Sequence, residues 1–264
     1  PMIRSEMLTL VYRDTRIALV ERKGPQLVLR DSSGESERYD RRLLASETVL
    51  ASISDSGSYP ELASIRQTLL GWRFYHDIRT DGEAPVRKPS IALSSPTMSS
   101  DGSDLAAVLA TVQYVRGNPD RIRDAVADAF PGAELIVAVH QGQCRFAMRF
   151  PGIERPFAAH ELSDGTLRYL YLIGALFGFR PAGFIAINEP EASLHIELLP
   201  PLARLIVNAA ENCQIWVVTH SEMLAAQIAR YSGTMPRVVT KENGVTMIRR
   251  SAAARPAIVA EAAE

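Results

Sequence analysis

Short runs of apolar and β-branched residues open the chain. Met7 to Tyr12, Ile17 to Glu21 and Gln26 to Arg30 read as strands. Arg13-Asp14 and Lys23-Gly24-Pro25 supply the turns between them, so an antiparallel meander is expected. The polar stretch Asp31 to Asp40 reads as an exposed loop. From Pro60 to Leu70 the spacing becomes helical, with Leu62, Ile65 and Leu69 on one face. Thr80 to Ser103 is rich in Pro, Ser and Gly and reads as a long loop. Asp104 to Val115 and Asp120 to Phe130 read as helices, the second opened by Asn118-Pro119. Two strands follow, Glu134 to Val139 and Cys144 to Phe150, joined through Gln141-Gly142.

Beyond residue 160 the pattern changes. Ser163-Asp164-Gly165-Thr166 starts an apolar helix, Leu167 to Phe179. A continuous apolar strand, Phe184 to Ile187, ends in Asn188-Glu189-Pro190-Glu191. A helix over about His195 to Ala210 leads to a second such strand, Ile215 to Val218, ending in Thr219-His220-Ser221. Continuous apolar strands alternating with helices predict a parallel sheet covered on both faces. The expected organisation is an antiparallel strand region over 1–58 and a helical and loop insertion over 59–132. An α/β core over 133–250 and a flexible tail over 251–264 complete it.

Composition narrows the functional classes. A hydrophobic share of 47% and a charged share of 22% are those of a soluble globular protein. A net charge of -1 gives no bulk electrostatic case for a polyanion partner. Cys144 and Cys213 are far apart and form no metal-ligand cluster, so they read as apolar fillers in a reducing, cytoplasmic setting. The longest apolar run, Tyr169 to Phe179, falls well short of the ~20 residues that span a bilayer. No charged-then-apolar leader opens the chain, so neither a membrane location nor secretion is expected.

In open α/β sheets, functional groups collect beyond the carboxyl ends of the strands. Glu189 and His220 each follow a strand directly, and both strands should open at one edge. A carboxylate at Glu189 would orient or deprotonate an attacking water, or would be a solvated loop residue. His220 would contact a γ-phosphate, or be structural. The Ser163–Thr166 helix start offers free N–H groups to a phosphate, and is equally an ordinary N-cap.

Order and spacing make these pieces specific. LSDGTLR at Leu162 to Arg168 resembles the ABC signature motif, and FIAINEPE at Phe184 to Glu191 resembles Walker B. SLH at Ser193 to His195 matches the D-loop position and VTHS at Val218 to Ser221 the histidine switch. Together they resemble ATPases of the ABC/RecF/SMC-like class. WRFYHDIRTD and DGSDLAAVL add a looser match to the middle region of the bacterial AAA-type members. The resemblance implies a P-loop NTPase-like ABC ATPase core, a mostly parallel sheet flanked by helices, with the meander on its N-terminal side. It implies ATP and Mg²⁺ as ligands, and sites shared between two chains, as a homodimer or with a P-loop-containing partner lobe. DNA is a partner in the wider family. By carry-over, Glu189 and His220 would be catalytic, and Ser163, Asp164, Gly165 and Thr166 would meet the partner's nucleotide. Ser193 and His195 would lie at the nucleotide interface, and Asn188 would face the metal.

Two departures matter. The chain has no GxxxxGK[ST], so it lacks a phosphate cradle, the lysine on it and the hydroxyl for Mg²⁺. The expectation is an ATPase part lacking its P-loop lobe, inactive or weak alone. It would be a truncated product, or a half-protein working with a separate P-loop partner. The alternative is a non-catalytic module docking on such a partner. Without the P-loop strand, one sheet edge should be left for self-association, rearranged N-terminal strands or the missing lobe to cover. The second departure is Asn188, where Walker B usually carries Asp; an amide brings no charge to offset Mg²⁺. Trp72 to Arg79 reads either as a nucleic-acid platform using Arg73, Arg79, Tyr75 and Trp72, or as packing of Trp72, Phe74 and Ile78 inward. The second is the expectation.

Overall fold

Turn chemistry at Arg13-Asp14 and Lys23-Gly24-Pro25 folds the first residues into a meander, as expected. A computed structural model describes residues 2–39, 43–115 and 118–250. The chain divides into two compact units, Pro1–Trp72 and Arg73–Glu264. The tail expected over 251–264 lies outside the described residues.

In the first unit, β1 (Ser5–Tyr12), β2 (Thr15–Lys23), β3 (Gln26–Arg30) and β4 (Ser36–Arg38) form an antiparallel sheet in sequence order. β4 lies inside the stretch expected to be loop. Its three side chains are all exposed, so no alternation marks it. α1 (Val49–Ser52) is capped by Thr48, and α2 (Pro60–Leu70) begins on proline, whose missing N–H is no loss in a first turn. Leu19, Val20, Leu27, Leu29, Val49 and Leu62 close a small core.

The second unit opens with β5 (Arg73–Tyr75), β6 (Ser90–Ile91) and α3 (Leu105–Ala110), which runs on into a π-helical turn, Thr111–Val115. α4 (Pro119–Ala129) follows, capped by Asn118. β7 (Glu134–His140), β8 (Gln143–Arg149) and β9 (Phe157–Ala158) come next; β8 pairs antiparallel with β6, β7 and β9. Then come α5 (Asp164–Phe177), β10 (Phe184–Asn188), α6 (Leu199–Ala210), β11 (Gln214–Val218) and α7 (Glu222–Ser232). The hairpin β12 (Arg237–Glu242) and β13 (Val245–Arg250) ends the described chain. No described helix is long and apolar enough to cross a membrane.

β5, β10 and β11 form the parallel sheet, in the order β11-β10-β5. Among the described residues, parallel pairing is thus confined to three strands, and the other ladders are antiparallel. Every residue of α5 from Leu167 to Phe177 is buried, as an all-round apolar helix must be. Tyr75, Ile185 and Ile187 join the same core, with Ile215 and Val217 packed against it.

The expected burial of both sheet faces does not hold. Phe74, Ala186 and Trp216 are register partners on the opposite face, where Trp216 is 62% and Phe74 50% exposed. An unbroken apolar run shows that both faces can be covered, not that this chain covers them. The aromatic-basic segment is corrected for a related reason. β5 alternates, so Tyr75 is buried while Phe74 is exposed; Trp72 just before the strand is exposed too, and Ile78 beyond it is buried as expected. The Tyr75 hydroxyl donates to the Met98 carbonyl, which removes that ring as a stacking platform.

Candidate functional site

Parallel, in-register pairing brings the carboxyl ends of β10 and β11 together at Asn188 and Val218. The Glu189 N–H donates to the Val218 carbonyl at 2.8 Å and extends the contact one residue further. The chain then turns sharply. Glu189 has φ 46° and Ser193 φ 63°, a left-handed conformation costing roughly 1–2 kcal/mol for a non-glycine residue. Such strain clusters at functional sites.

The turn aims two carboxylates at the end of β11. Glu189 Oε1 lies 3.3 Å from His220 Nε2, with both side chains open to solvent. Glu191 Oε1 accepts from the Thr219 hydroxyl at 2.5 Å and from the His220 and Ser221 N–H groups at 3.0 and 3.1 Å. The left-handed φ at Glu189 takes the chain out of the line of β10, and both carboxylates reach the end of β11. Glu191 thereby fixes the residues on either side of His220, and Ser221 goes on to cap α7. Asn188, half-buried, ends β10.

The third component is the start of α5. Ser163 is its N-cap, accepting from the Thr166 N–H at 3.2 Å, and its hydroxyl also meets that of Thr166 at 2.9 Å. Asp164 pairs with Arg87 at 2.7 Å. Arg87 also donates to the carbonyls of Leu162 and His160, and so anchors the approach to the helix. Gly165 sits against the strained turn: a Cβ there would lie 2.9 Å from the Ser193 carbonyl oxygen. That contact is a packing reason for glycine at this position. His195 is exposed and caps the following turn through Nδ1, accepting from the Glu197 N–H at 3.4 Å.

Arg168 ties these parts together. It is 8% exposed, and its guanidinium donates to the carbonyls of Glu189, Pro190 and Ile78. Burial pulls its pKa below the usual arginine value, and the charge of Glu191 works against that shift. Sequence reasoning missed Arg87, Arg168, Glu191 and Thr219 as parts of the site. For Arg168 a signal existed, since a lone cation inside an apolar helix must find partners. Arg87 sits in a Pro/Ser/Gly-rich stretch whose local pattern says nothing about its contacts.

The arrangement presents a carboxylate, an imidazole and a capped helix N-terminus beside one sheet edge. Toward a divalent cation it offers the neutral Asn188 amide and a Glu189 carboxylate turned to His220. No group of three or more His, Cys, Asp or Glu that could hold a metal occurs among the described residues. This donor set does not by itself make a magnesium site. The two thiols are free; burial raises the pKa of both, which suits fillers.

The chain is similar in structure to an SMC head bound to the C-winged helix domain of ScpA. The TM-score is 0.51 at 14% identity, covering 90% of this chain and 68% of that one. The SMC head domain from Thermotoga maritima matches with a TM-score of 0.44 at 15% identity, over 95% of this chain and 76% of that one. An Smc head domain with a coiled coil and joint from Pyrococcus yayanosii gives 0.43 at 18% identity, over 50% of this chain. The match spans 26% of the length of that Pyrococcus chain. No curated protein sequence matches. The family described as "AAA domain, putative AbiEii toxin, Type IV TA system" matches residues 19–226. The chain belongs to this family of AAA domains.

Proposed function

We propose that this chain supplies the water-activating and capping parts of a shared ATP-hydrolysing site, and that a P-loop-bearing partner supplies the phosphate cradle. ATP and water are the substrates: water attacks the γ-phosphorus, ADP leaves, and inorganic phosphate is the second product. Glu189 orients and deprotonates the attacking water, and His220 meets the γ-phosphate oxygens. Ser163, Gly165 and Thr166 offer the α5 N-terminus to the nucleotide held by the partner, with Asp164 holding the helix start through Arg87. Ser193 and His195 flank that interface. Asn188 would face the Mg²⁺ that accompanies the nucleotide, which the partner's donors have to hold.

The observation that carries this reading is the approach of Glu189 to His220, 3.3 Å apart at the ends of adjacent parallel strands. Support for an incomplete sheet comes from β11, which pairs with β10 alone among the described residues and exposes 62% of Trp216 and 46% of Val218. The partner is a second copy, in a homodimer, or a separate P-loop-containing lobe. DNA enters only through the wider family.

That exposed face also favours the second reading, a non-catalytic module that docks on a P-loop partner. Mixing the chain with a P-loop-bearing lobe and assaying phosphate release separates them. Hydrolysis abolished by Glu189→Gln supports the first reading. Complex formation without Glu189-dependent turnover supports the second.

A further inference from the structure

α5 braces the left-handed turn at both of its strained residues. At one end, Arg168 Nη2 donates to the Glu189 carbonyl at 2.6 Å and Nε to the Pro190 carbonyl at 3.3 Å. At the other, Gly165 lies against the Ser193 carbonyl, too close to admit a Cβ without movement. Glu189 and Ser193 are the two residues of this segment with positive φ. Arg168 Nη1 reaches further, to the Ile78 carbonyl at 3.1 Å beyond the end of β5. Each guanidinium nitrogen therefore holds a backbone carbonyl, a use for which the planar fork suits arginine and not lysine.

We propose that Arg168 is the positioning residue for Glu189: it locks the turn that aims the carboxylate and couples it to the start of α5. A shift of that helix start on meeting a ligand moves both braces together, so occupancy at Ser163–Thr166 sets the aim of Glu189. The catalytic arm of this inference rests on the proposed function; the conformational arm does not. Water has easy access to the Glu189 carboxylate but not to the Arg168 bonds. The aim is thus held from the backbone, where competition from solvent is weakest.

The conformational test uses the whole chain by NMR. In the wild type, hindered rotation should separate the Arg168 Nη resonances, and Glu189 and Ser193 should both show the strong intraresidue HN–Hα contact of a left-handed residue. Averaged Nη signals would overturn the proposal without any variant. Arg168→Lys keeps the buried charge and reaches fewer carbonyls. It should erase the left-handed signature at Glu189 and spare it at Ser193; an unchanged Glu189 overturns the proposal. In the mixture with a P-loop lobe, Arg168→Lys should lower kcat at least tenfold with KM for ATP unchanged. Loss of turnover in Glu189→Gln beside an unchanged kcat in Arg168→Lys also sinks it. If Glu189→Gln turns over like wild type, the shared-site reading fails, and the NMR result still decides the role of Arg168.

Discussion

Glu191 is the most exposed joint of this account to mutation, because one oxygen serves three donors. Oε1 accepts from the Thr219 hydroxyl and from the His220 and Ser221 N–H groups, while Oε2 is buried without a hydrogen bond among the described residues. Glu191→Ala removes all three bonds. Hydrogen bonds to a charged group contribute about 1.5–3 kcal/mol each. The full sum is not expected, since Ser221 keeps a bond to Thr219 Oγ1 at 2.9 Å and His220 is open to water. Against that, buried Arg168 loses a compensating negative charge. The net expectation is about 3 kcal/mol of destabilisation, equivalent to roughly 5–10 °C in Tm for a domain of this size. Glu191→Gln should cost about 1–2 kcal/mol, because an amide oxygen replaces Oε1 but its NH₂ finds no acceptor where Oε2 lies. Urea denaturation at constant pH, followed by tryptophan fluorescence and far-UV dichroism, measures both. If Glu191→Ala stays within about 0.5 kcal/mol of wild type, the range of an ordinary surface change, the hub described here is wrong.

Gly165→Ala sets helix propensity against sterics. Alanine gains up to about 1 kcal/mol in a helix, but its Cβ meets the Ser193 carbonyl oxygen at 2.9 Å. A net loss of about 1–2 kcal/mol is expected by thermal unfolding, and a gain would show that the turn yields freely. Trp216→Lys should change stability by less than about 0.5 kcal/mol, given 62% exposure, while lowering the binding of an apolar dye. Unchanged dye binding would place the sticky surface elsewhere. Asp101 accepts from the Ser103 N–H and from the hydroxyls of Ser103 and Ser99, which hold its pKa below the usual 3.8. A depressed carboxylate pKa stabilises the fold above the ordinary value, and that contribution is lost as pH falls through the folded value. Wild type should therefore lose stability below pH 3.8 more steeply than Asp101→Asn; parallel acid profiles would contradict this.

Much of the site was readable because its parts sit where local rules place them. Glu189 and His220 follow apolar strands, and parallel pairing alone brings strand ends together. Ser163 announces itself as a cap, and Pro60 and Asn118-Pro119 mark helix starts that the fold uses. The parts that were not readable depend on long-range contacts. Arg87 reaches the Leu162 carbonyl, just before α5, across some seventy-five positions of sequence, and Arg168 finds carbonyls beyond two different strands. Periodicity flags Arg168 as a lone cation in an apolar helix but names neither its partners nor those of Arg87. β4 was missed because three exposed residues carry no alternation, and burial of the second sheet face was overestimated because an unbroken apolar run shows only that both faces can be covered. The left-handed φ at Glu189 had no signature either, since glutamate rarely adopts it.

Calorimetric titration of Mg-ATP into this chain, alone and then mixed with a separately made P-loop-bearing lobe, tests the shared-site claim most directly. The account predicts no binding heat from the chain alone, and binding with Glu189-dependent hydrolysis in the mixture. Micromolar binding by the chain alone, or turnover in the mixture that survives Glu189→Gln, would contradict it.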